Sequence, residues 1–186
     1  MRIFIGIEIP EKIKKKISNE IKNLKNSYAN FRWVKEENYH LTLLFLGEVK
    51  ENKLEKIKKR LKRAIFDQES FFLFSYKFDL FINHQIVIYI NFKRQKLLEQ
   101  LAEKIRREFR EYTYKTNVKK FVPHLTIARA KIPSKQQYFV LKKFLNKTKT
   151  NFYFKVEKIT LYQSILKKTG PLYKKLLQID LLQKED

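Results

Sequence analysis

Apolar and polar positions alternate through the opening run Arg2-Ile3-Phe4-Ile5-Gly6-Ile7-Glu8-Ile9, and the alternation ends at Pro10. A period of two predicts a strand. The period then lengthens. From Glu11 to Tyr28, Ile13, Ile17, Ile21 and Leu24 recur at spacings of four and three, which predicts an amphipathic helix with a lysine-rich outer face. A second strand is predicted over 39–46, stopped by Gly47, and a second helix on Leu54, Ile57, Leu61 and Ile65. Two strands over 71–80 and 85–92 are joined through Asn83 and His84. The stretch 95–112 reads as a helix, with Leu97, Leu98, Leu101, Ile105 and Phe109 on one side. A strand at 121–130, a helix over 134–146, a long strand at 151–163 and a closing strand near 175–182 complete the pattern. Strands and helices interleave throughout, so the class is α/β or α+β.

Composition narrows the setting. The chain has 186 residues, 44% hydrophobic and 15% aromatic, with 42 Lys plus Arg against 19 Asp plus Glu, a net charge of +23. That apolar content separates it from a disordered basic tail. Of the 42 basic residues 33 are lysine, compact ammonium groups that attract phosphate as point charges. Nucleic acid or a polyphosphate is the partner such a surface field favours. Drift in an AT-rich genome and adaptation to heat also enrich lysine, but 19 acidic residues are too few to pair most of these. The absence of cysteine removes disulfides, thiol nucleophiles and cysteine-ligated metal sites. No apolar run reaches the roughly 20 residues that span a bilayer. The N-terminus carries no cleavable signal pattern, so the expectation is a soluble, cytoplasmic protein with no membrane partner.

One internal echo carries the candidate chemistry. His40-Leu41-Thr42-Leu43 recurs 84 residues later as His124-Leu125-Thr126-Ile127, in a chain with only three histidines. Shuffling would match both pairs on the order of once in tens of thousands of trials. In a strand, His40 and Thr42 share one face while Leu41 and Leu43 point the other way, and the second copy repeats this with His124 and Thr126. Two lobes, each lending one such strand to a shared cleft, would set an imidazole on either side of a bound phosphorus. One would act as acid and the other as base, with threonine hydroxyls on the phosphoryl oxygens. A lone strand histidine is more often structural, and the matched pair reverses those odds. A metal site is the weaker alternative, since two histidines lack the usual carboxylate or cysteine partners. His84 has no matching context and reads as a surface residue.

These residues resemble the 2H phosphoesterases, and among them the bacterial and archaeal RNA 2′,3′-cyclic phosphodiesterases, also described as 2′-5′ RNA ligases. The resemblance runs over nearly the whole chain. It is strongest at Arg2 to Pro10, at Arg32-Trp33-Val34 on through Asn38-Tyr39-His40 to Gly47, at Phe121 to Arg129, and at Leu161 to Ser164 followed by Gly170-Pro171-Leu172-Tyr173. The stretch from Asp79 to Gln85 departs from the Gly- and Pro-containing pattern common in the family.

The resemblance implies an α+β bilobal fold: two pseudo-symmetric lobes of antiparallel sheet with outer helices around a central cleft, the whole of 1–186 forming one domain. It implies metal-independent, cofactor-free opening of a terminal 2′,3′-cyclic phosphate of RNA to a 2′-phosphate. RNA with such ends, tRNA fragments as one candidate, is the expected partner, and a monomer with no protein partner is the expectation, although the sequence itself does not reveal oligomeric state. Carried over, His40 is the proton donor to the departing 3′-oxygen, His124 the proton acceptor from water, and Thr42 and Thr126 hold the non-bridging oxygens. The acid and base labels rest on the family and nothing in the sequence orients the substrate. The family also implies a phosphate-contacting arginine at Arg129. In a regular strand that residue faces away from His124, five positions earlier, so the role requires a bulge or strand end near Ala128. Trp33 is a candidate base-stacking residue, weighed against simple core packing. Joining a cyclic phosphate end to a 5′-hydroxyl, or acting on small cyclic nucleotides or 2′-5′ oligonucleotides, stays open beside hydrolysis. So does a basic RNA-binding protein without catalysis.

Overall fold

The computed structural model describes residues 1–82, 84–113, 121–131, 134–148, 150–168 and 170–183. The opening run forms β1 (Arg2–Glu8), with every residue from Ile3 to Ile7 buried. The polar partner of the alternation is missing there because β1 is a central strand covered on both faces. The predicted first helix is divided at Ile21 into α1 (Glu11–Glu20) and α2 (Lys22–Ser27), yet Ile17, Ile21 and Leu24 stay buried on one side. A two-residue strand that the pattern does not predict, β2 (Arg32–Trp33), precedes β3 (His40–Glu48). Gly47 does not stop β3. It adopts a positive φ of 72° inside the strand, and pairing continues through Glu48.

The second helix is α3 (Leu54–Ile65), followed by β4 (Phe71–Ile82), β5 (Ile86–Phe92), α4 (Lys96–Glu108) and the short α5 (Arg110–Thr113). Asn83, expected between β4 and β5, lies outside the described residues. The strand expected from 121 begins only at His124, as β6 (His124–Ala130), because the preceding Pro123 offers no N–H to a ladder. Helix α6 (Lys135–Lys147) opens on a capping box, Gln137 N donating to Ser134 Oγ at 3.3 Å and Ser134 N to Gln137 Oε1 at 3.2 Å. The predicted long strand at 151–163 proves to be two: β7 (Tyr153–Val156), paired with β4, and β8 (Lys158–Lys167), paired with β1 and β9 (Gly170–Asp180). The chain leaves one end of the sheet and joins the other within a single residue, Glu157.

The sheet order is β7-β4-β5-β6-β3-β1-β8-β9, with β2 added beside β6, and each strand pair is antiparallel. Read outward from its middle, the order is symmetric: β6 and β3, β5 and β1, β4 and β8, β7 and β9. The fold is therefore α+β and bilobal, as the repeated tetrapeptide requires. Leu41, Ile57, Leu61, Leu98, Leu101, Ile105, Leu125 and Ile127 belong to one continuous buried cluster beneath the sheet. Arg60 on α3 ties the helices together, its Nε donating to Glu108 Oε1 at 2.9 Å while the guanidinium lies 4.8 Å from the Phe109 ring centroid. Among the described residues no helix is long and apolar enough to cross a membrane.

Gly6 sits where the fold leaves no room for a side chain. It pairs with Thr42, and a Cβ there would lie 2.8 Å from the Leu41 carbonyl oxygen and 3.7 Å from His40 Cδ2. The obstructing atom is backbone, so β3 itself would have to move. Gly6→Ala should lower stability by about 1–3 kcal/mol, read as a denaturant or thermal midpoint. Wild-type stability in that variant would show that β1 and β3 can separate without penalty.

Candidate active site

The two tetrapeptides meet at the middle of the sheet. Leu41 of β3 pairs with Leu125 of β6 in an antiparallel ladder, which sets His40 across from Thr126 and Thr42 across from His124. Both leucines are buried, so the two histidines and two threonines occupy the opposite, half-exposed face. Diagonal neighbours of this kind lie roughly 7–8 Å apart, their Cβ atoms somewhat closer. The two imidazoles therefore rise from neighbouring points on one face of the sheet.

Each ring is fixed by the same device. His40 Nδ1 lies 2.7 Å from the Asn38 carbonyl oxygen, and His124 Nδ1 lies 2.8 Å from that of Val122, two residues earlier in both cases. A carbonyl only accepts, so Nδ1 carries the proton and Nε2 of the neutral ring keeps its lone pair for the cleft. Asn38 is itself buried and tied down, its Nδ2 donating to the Pro171 carbonyl at 2.9 Å. Aromatic rings complete the cradles. Phe4 and the edge of Tyr173 lie 4.8 and 4.9 Å from the His40 ring centroid. Phe81 and Tyr89 lie 5.2 and 5.4 Å from that of His124, both edge-on. Phe81 comes from the segment that departs from the family pattern, so that segment supplies a wall of the site.

The strand register also decides where Arg129 goes. Tyr89 pairs with Thr126 and Ile88 with Ala128, so Ile127 is an extra residue, a β-bulge. Alternation restarts beyond it, and Arg129 lies on the face of His124 and Thr126. The first copy does the same: Gly6 pairs with Thr42 and Ile5 with Leu44, leaving Leu43 as the extra residue. In both tetrapeptides the fourth residue is thus the bulge. The position that Arg129 holds in one lobe is held by Phe45 in the other, which makes the cleft electrostatically lopsided.

Arg129 has a companion that the sequence pattern does not single out. Arg32 of β2 pairs with it directly, and Arg32 Nη2 donates to Gln85 Oε1 at 2.9 Å. Like charges directly opposite each other destabilise a sheet unless something offsets them. An anion in the cleft would supply that offset. Trp33 goes elsewhere. Its strand partner is the fully buried Ala128, its Nε1 donates to the Tyr28 carbonyl at 3.0 Å, and its ring packs on Phe31. The structure does not bring Trp33 to the imidazole pair: period two assigns the cleft face to Arg32 and the core face to its neighbour. His84 is exposed in the bend between β4 and β5.

Burial dominates the electrostatics. It depresses the His40 imidazole to about 4, with the positive neighbours His124 and Arg129 adding to the effect. His124 is lowered for the same first reason, aided by Arg129. Burial also lowers Arg129, and it raises the Tyr173 hydroxyl against the opposing pull of Arg129. In the free protein at neutral pH both imidazoles are therefore uncharged. An anion seated between them reverses the balance and favours a proton on one.

The depressed His40 value has a stability consequence. Between pH 6.5 and about 4 the unfolded chain binds the proton and the folded chain does not, so stability falls as pH falls through that window. The loss is on the order of 3 kcal/mol, and it comes before protonation of the carboxylates Asp79 and Glu108, which are lowered from 3.8 and 4.5. Thermal midpoints measured from pH 7 to pH 4.5 should decline in the wild type and decline less steeply in His40→Gln, where only the buried His124 keeps this linkage. Equal slopes in the two proteins would contradict the burial of a neutral His40.

The geometry has counterparts in known proteins. Residues 7–89 and 91–173 each match the LigT-like phosphoesterase family. A Thermotoga maritima protein named RNA 2′,3′-cyclic phosphodiesterase is 34% identical over 181 residues, covering 96% of this chain and 94% of its own. One of the same name from Archaeoglobus fulgidus is 31% identical over 95% of this chain and 98% of its own. Among solved structures, TT0787 of Thermus thermophilus aligns over the whole of both chains with a TM-score of 0.81 and 24% identity. E. coli LigT complexed with 3′-AMP aligns over 98% of each chain with a TM-score of 0.80 and 24% identity, so these two structures speak for the fold. One tetrapeptide falls within each matched half, and the full-length relatives exceed 30% identity: the chain belongs to the LigT-like, or 2H, phosphoesterases.

Proposed function

We propose that the protein hydrolyses the terminal 2′,3′-cyclic phosphate of RNA to a 2′-phosphate, with His40 as proton donor and His124 as proton acceptor. The observation that carries the reading is the pair of Nε2 atoms freed for the cleft by identical Nδ1-to-carbonyl bonds. The relatives named for this activity support the substrate class. Water attacks phosphorus from the β6 side and gives its proton to His124 Nε2. The bond from phosphorus to the 3′-oxygen breaks, and that oxygen takes a proton from His40 Nε2. Arg129, with Thr42 and Thr126, holds the non-bridging oxygens, where preorganised donors meet the developing charge. The order of the two histidines follows the family resemblance.

The free protein needs its substrate to become competent. The phosphodiester anion restores the proton that burial removes from His40, so binding and protonation are coupled. Arg32 and Arg129, held side by side, attract that anion, and the chain's charge of +23 draws a polyanion from a distance. The same proton inventory, with a 5′-hydroxyl in place of water, joins a cyclic phosphate end to it through a 2′-5′ bond: His124 takes the hydroxyl proton and His40 protonates the departing 3′-oxygen.

A short RNA ending in a 2′,3′-cyclic phosphate tests this directly, with EDTA present throughout. The wild type should yield a 2′-phosphate, and His40→Ala or His124→Ala should each slow it by roughly 10²–10⁴-fold. A 3′-phosphate product would overturn the leaving oxygen, and full activity in either variant the acid and base assignment. Arg129→Gln should reduce kcat/KM by about 10²-fold or more. Arg32→Gln should act mainly on KM and weaken its salt dependence, because Arg32 contributes attraction rather than proton transfer.

A further inference from the structure

The cleft face of the sheet continues past the imidazoles onto a row of exposed aromatic rings. On β4, Phe71, Leu73 and Ser75 point into the core while Phe72 and Phe74 are 45% and 38% exposed. Ser75 pairs with Phe92 and Lys77 with Asn91, so Tyr76 is an extra residue and the alternation changes phase there. Beyond it Lys77, Asp79 and Phe81 take the outward side, level with His124, Thr126 and Arg129 through β5. Phe72, Phe74 and the reacting groups therefore share one face. Tyr153, on the edge strand β7, pairs with Phe74 and is 61% exposed.

The rings are arranged as a surface rather than packed into a core. Centroids lie 5.7 Å apart for Phe74 and Tyr153, 6.1 Å for Phe72 and Tyr153, and 6.4 Å for Phe72 and Phe74. The planes of Phe74 and Tyr153 differ by only 26°. Between this patch and β6 lies a hollow of about 500 Å³ lined by Tyr76, Asn91, Lys93, Arg94, Val122 and Pro123. Its far wall is continuous with the site, since Asn91 is the strand partner of His124 and Val122 holds its ring. Cations border the route. Lys77 Nζ stands 5.8 Å from the Tyr76 ring centroid, Lys155 pairs with Phe72, and Lys93 follows directly on β5.

We propose that Phe72, Phe74 and Tyr153, with Tyr76 and the bordering lysines, form a stacking platform for unpaired nucleotides upstream of the reacting RNA end. The proposal rests on the reading of the cleft given above. Phe74 lies two strands across and about three residues along from His124, roughly 13 Å by strand spacings. That distance corresponds to about two to four nucleotides. Exposed rings interleaved with cations are what single-stranded RNA requires, because every base has a stackable face and the backbone is anionic. A second copy of the chain is the competing occupant of an apolar patch beside an edge strand. Two surfaces each belonging to a chain of charge +23 repel, which favours the polyanion.

The test reads binding apart from turnover. Fluorescence anisotropy compares an unstructured ten-nucleotide RNA ending in a plain 3′-hydroxyl with a hairpin of equal charge. The double variant Phe74→Ala/Tyr153→Ala should bind the unstructured RNA at least tenfold more weakly, with a smaller loss for the hairpin. Phe74→Tyr, which keeps a stacking ring, should retain wild-type affinity. The double variant should also lose tenfold of the wild type's preference, in kcat/KM, for a cyclic-phosphate decamer over a cyclic mononucleotide. Equal affinity of wild type and double variant would overturn the platform, as would wild-type dimerisation in sedimentation that the double variant abolishes. Platform-dependent binding without turnover of any cyclic phosphate would leave this proposal standing and remove the hydrolase reading instead.

Discussion

The cleft depends on one antiparallel register, Leu41 against Leu125. A slip of β3 by one residue against β6 would turn His40 and Thr42 into the core and bring Leu41 and Leu43 to the surface, and a slip of β6 would do the same to His124 and Thr126 against Leu125 and Ile127. The aliphatic face prevents this. Leu41, Leu43, Leu125 and Ile127 are buried, each with no more than 7% of its surface exposed. Burial of a Leu or Ile side chain is worth about 1.5–3 kcal/mol, so the register that aligns the imidazoles is also the one that fills the core. Stability and the geometry of the polar face have a common origin in the tetrapeptide.

The bulge that follows each threonine gives this arrangement its reach. Ending the alternation at Leu43 and Ile127 lets one strand show three useful side chains on the cleft face where strict alternation would misplace the third. The two lobes then diverge at the equivalent position, Phe45 in one and Arg129 in the other. Phe45 joins an aromatic cluster with Phe4, their rings 5.7 Å apart. Arg129 remains half-buried beside Arg32 and lowers the proton affinity of both imidazoles. A symmetric scaffold thus acquires a directed field. The same bulge device at Tyr76 brings the aromatic stripe of β4 onto the cleft face, so one kind of irregularity shapes both regions.

Much of this was legible in the chain itself. Spacings of three and four identify the buried sides of α3 and α4, and the repeated His-x-Thr identifies the residues that face each other at the centre. Those are local signals: a helix stripe or a strand alternation is written in residues close together along the chain. The net charge and the absence of cysteine likewise need no fold. What sequence determined is the kind of chemistry available and the two strands that carry it.

Tertiary structure decided where that chemistry points. The run at 151–163 has one continuous strand pattern, yet Glu157 divides it between opposite ends of the sheet, because pairing partners lie far away in sequence. The choice between Arg32 and Trp33 follows from which of them pairs with Arg129, and the orientation of Arg129 follows from an extra residue that only the neighbouring strand reveals. The histidine tautomers depend on the carbonyls of Asn38 and Val122, whose placement no side-chain pattern encodes. Register, bulges and hydrogen-bond partners are relations between strands. The sequence determines the face each residue takes within its own strand, and only the assembled sheet determines what that face meets.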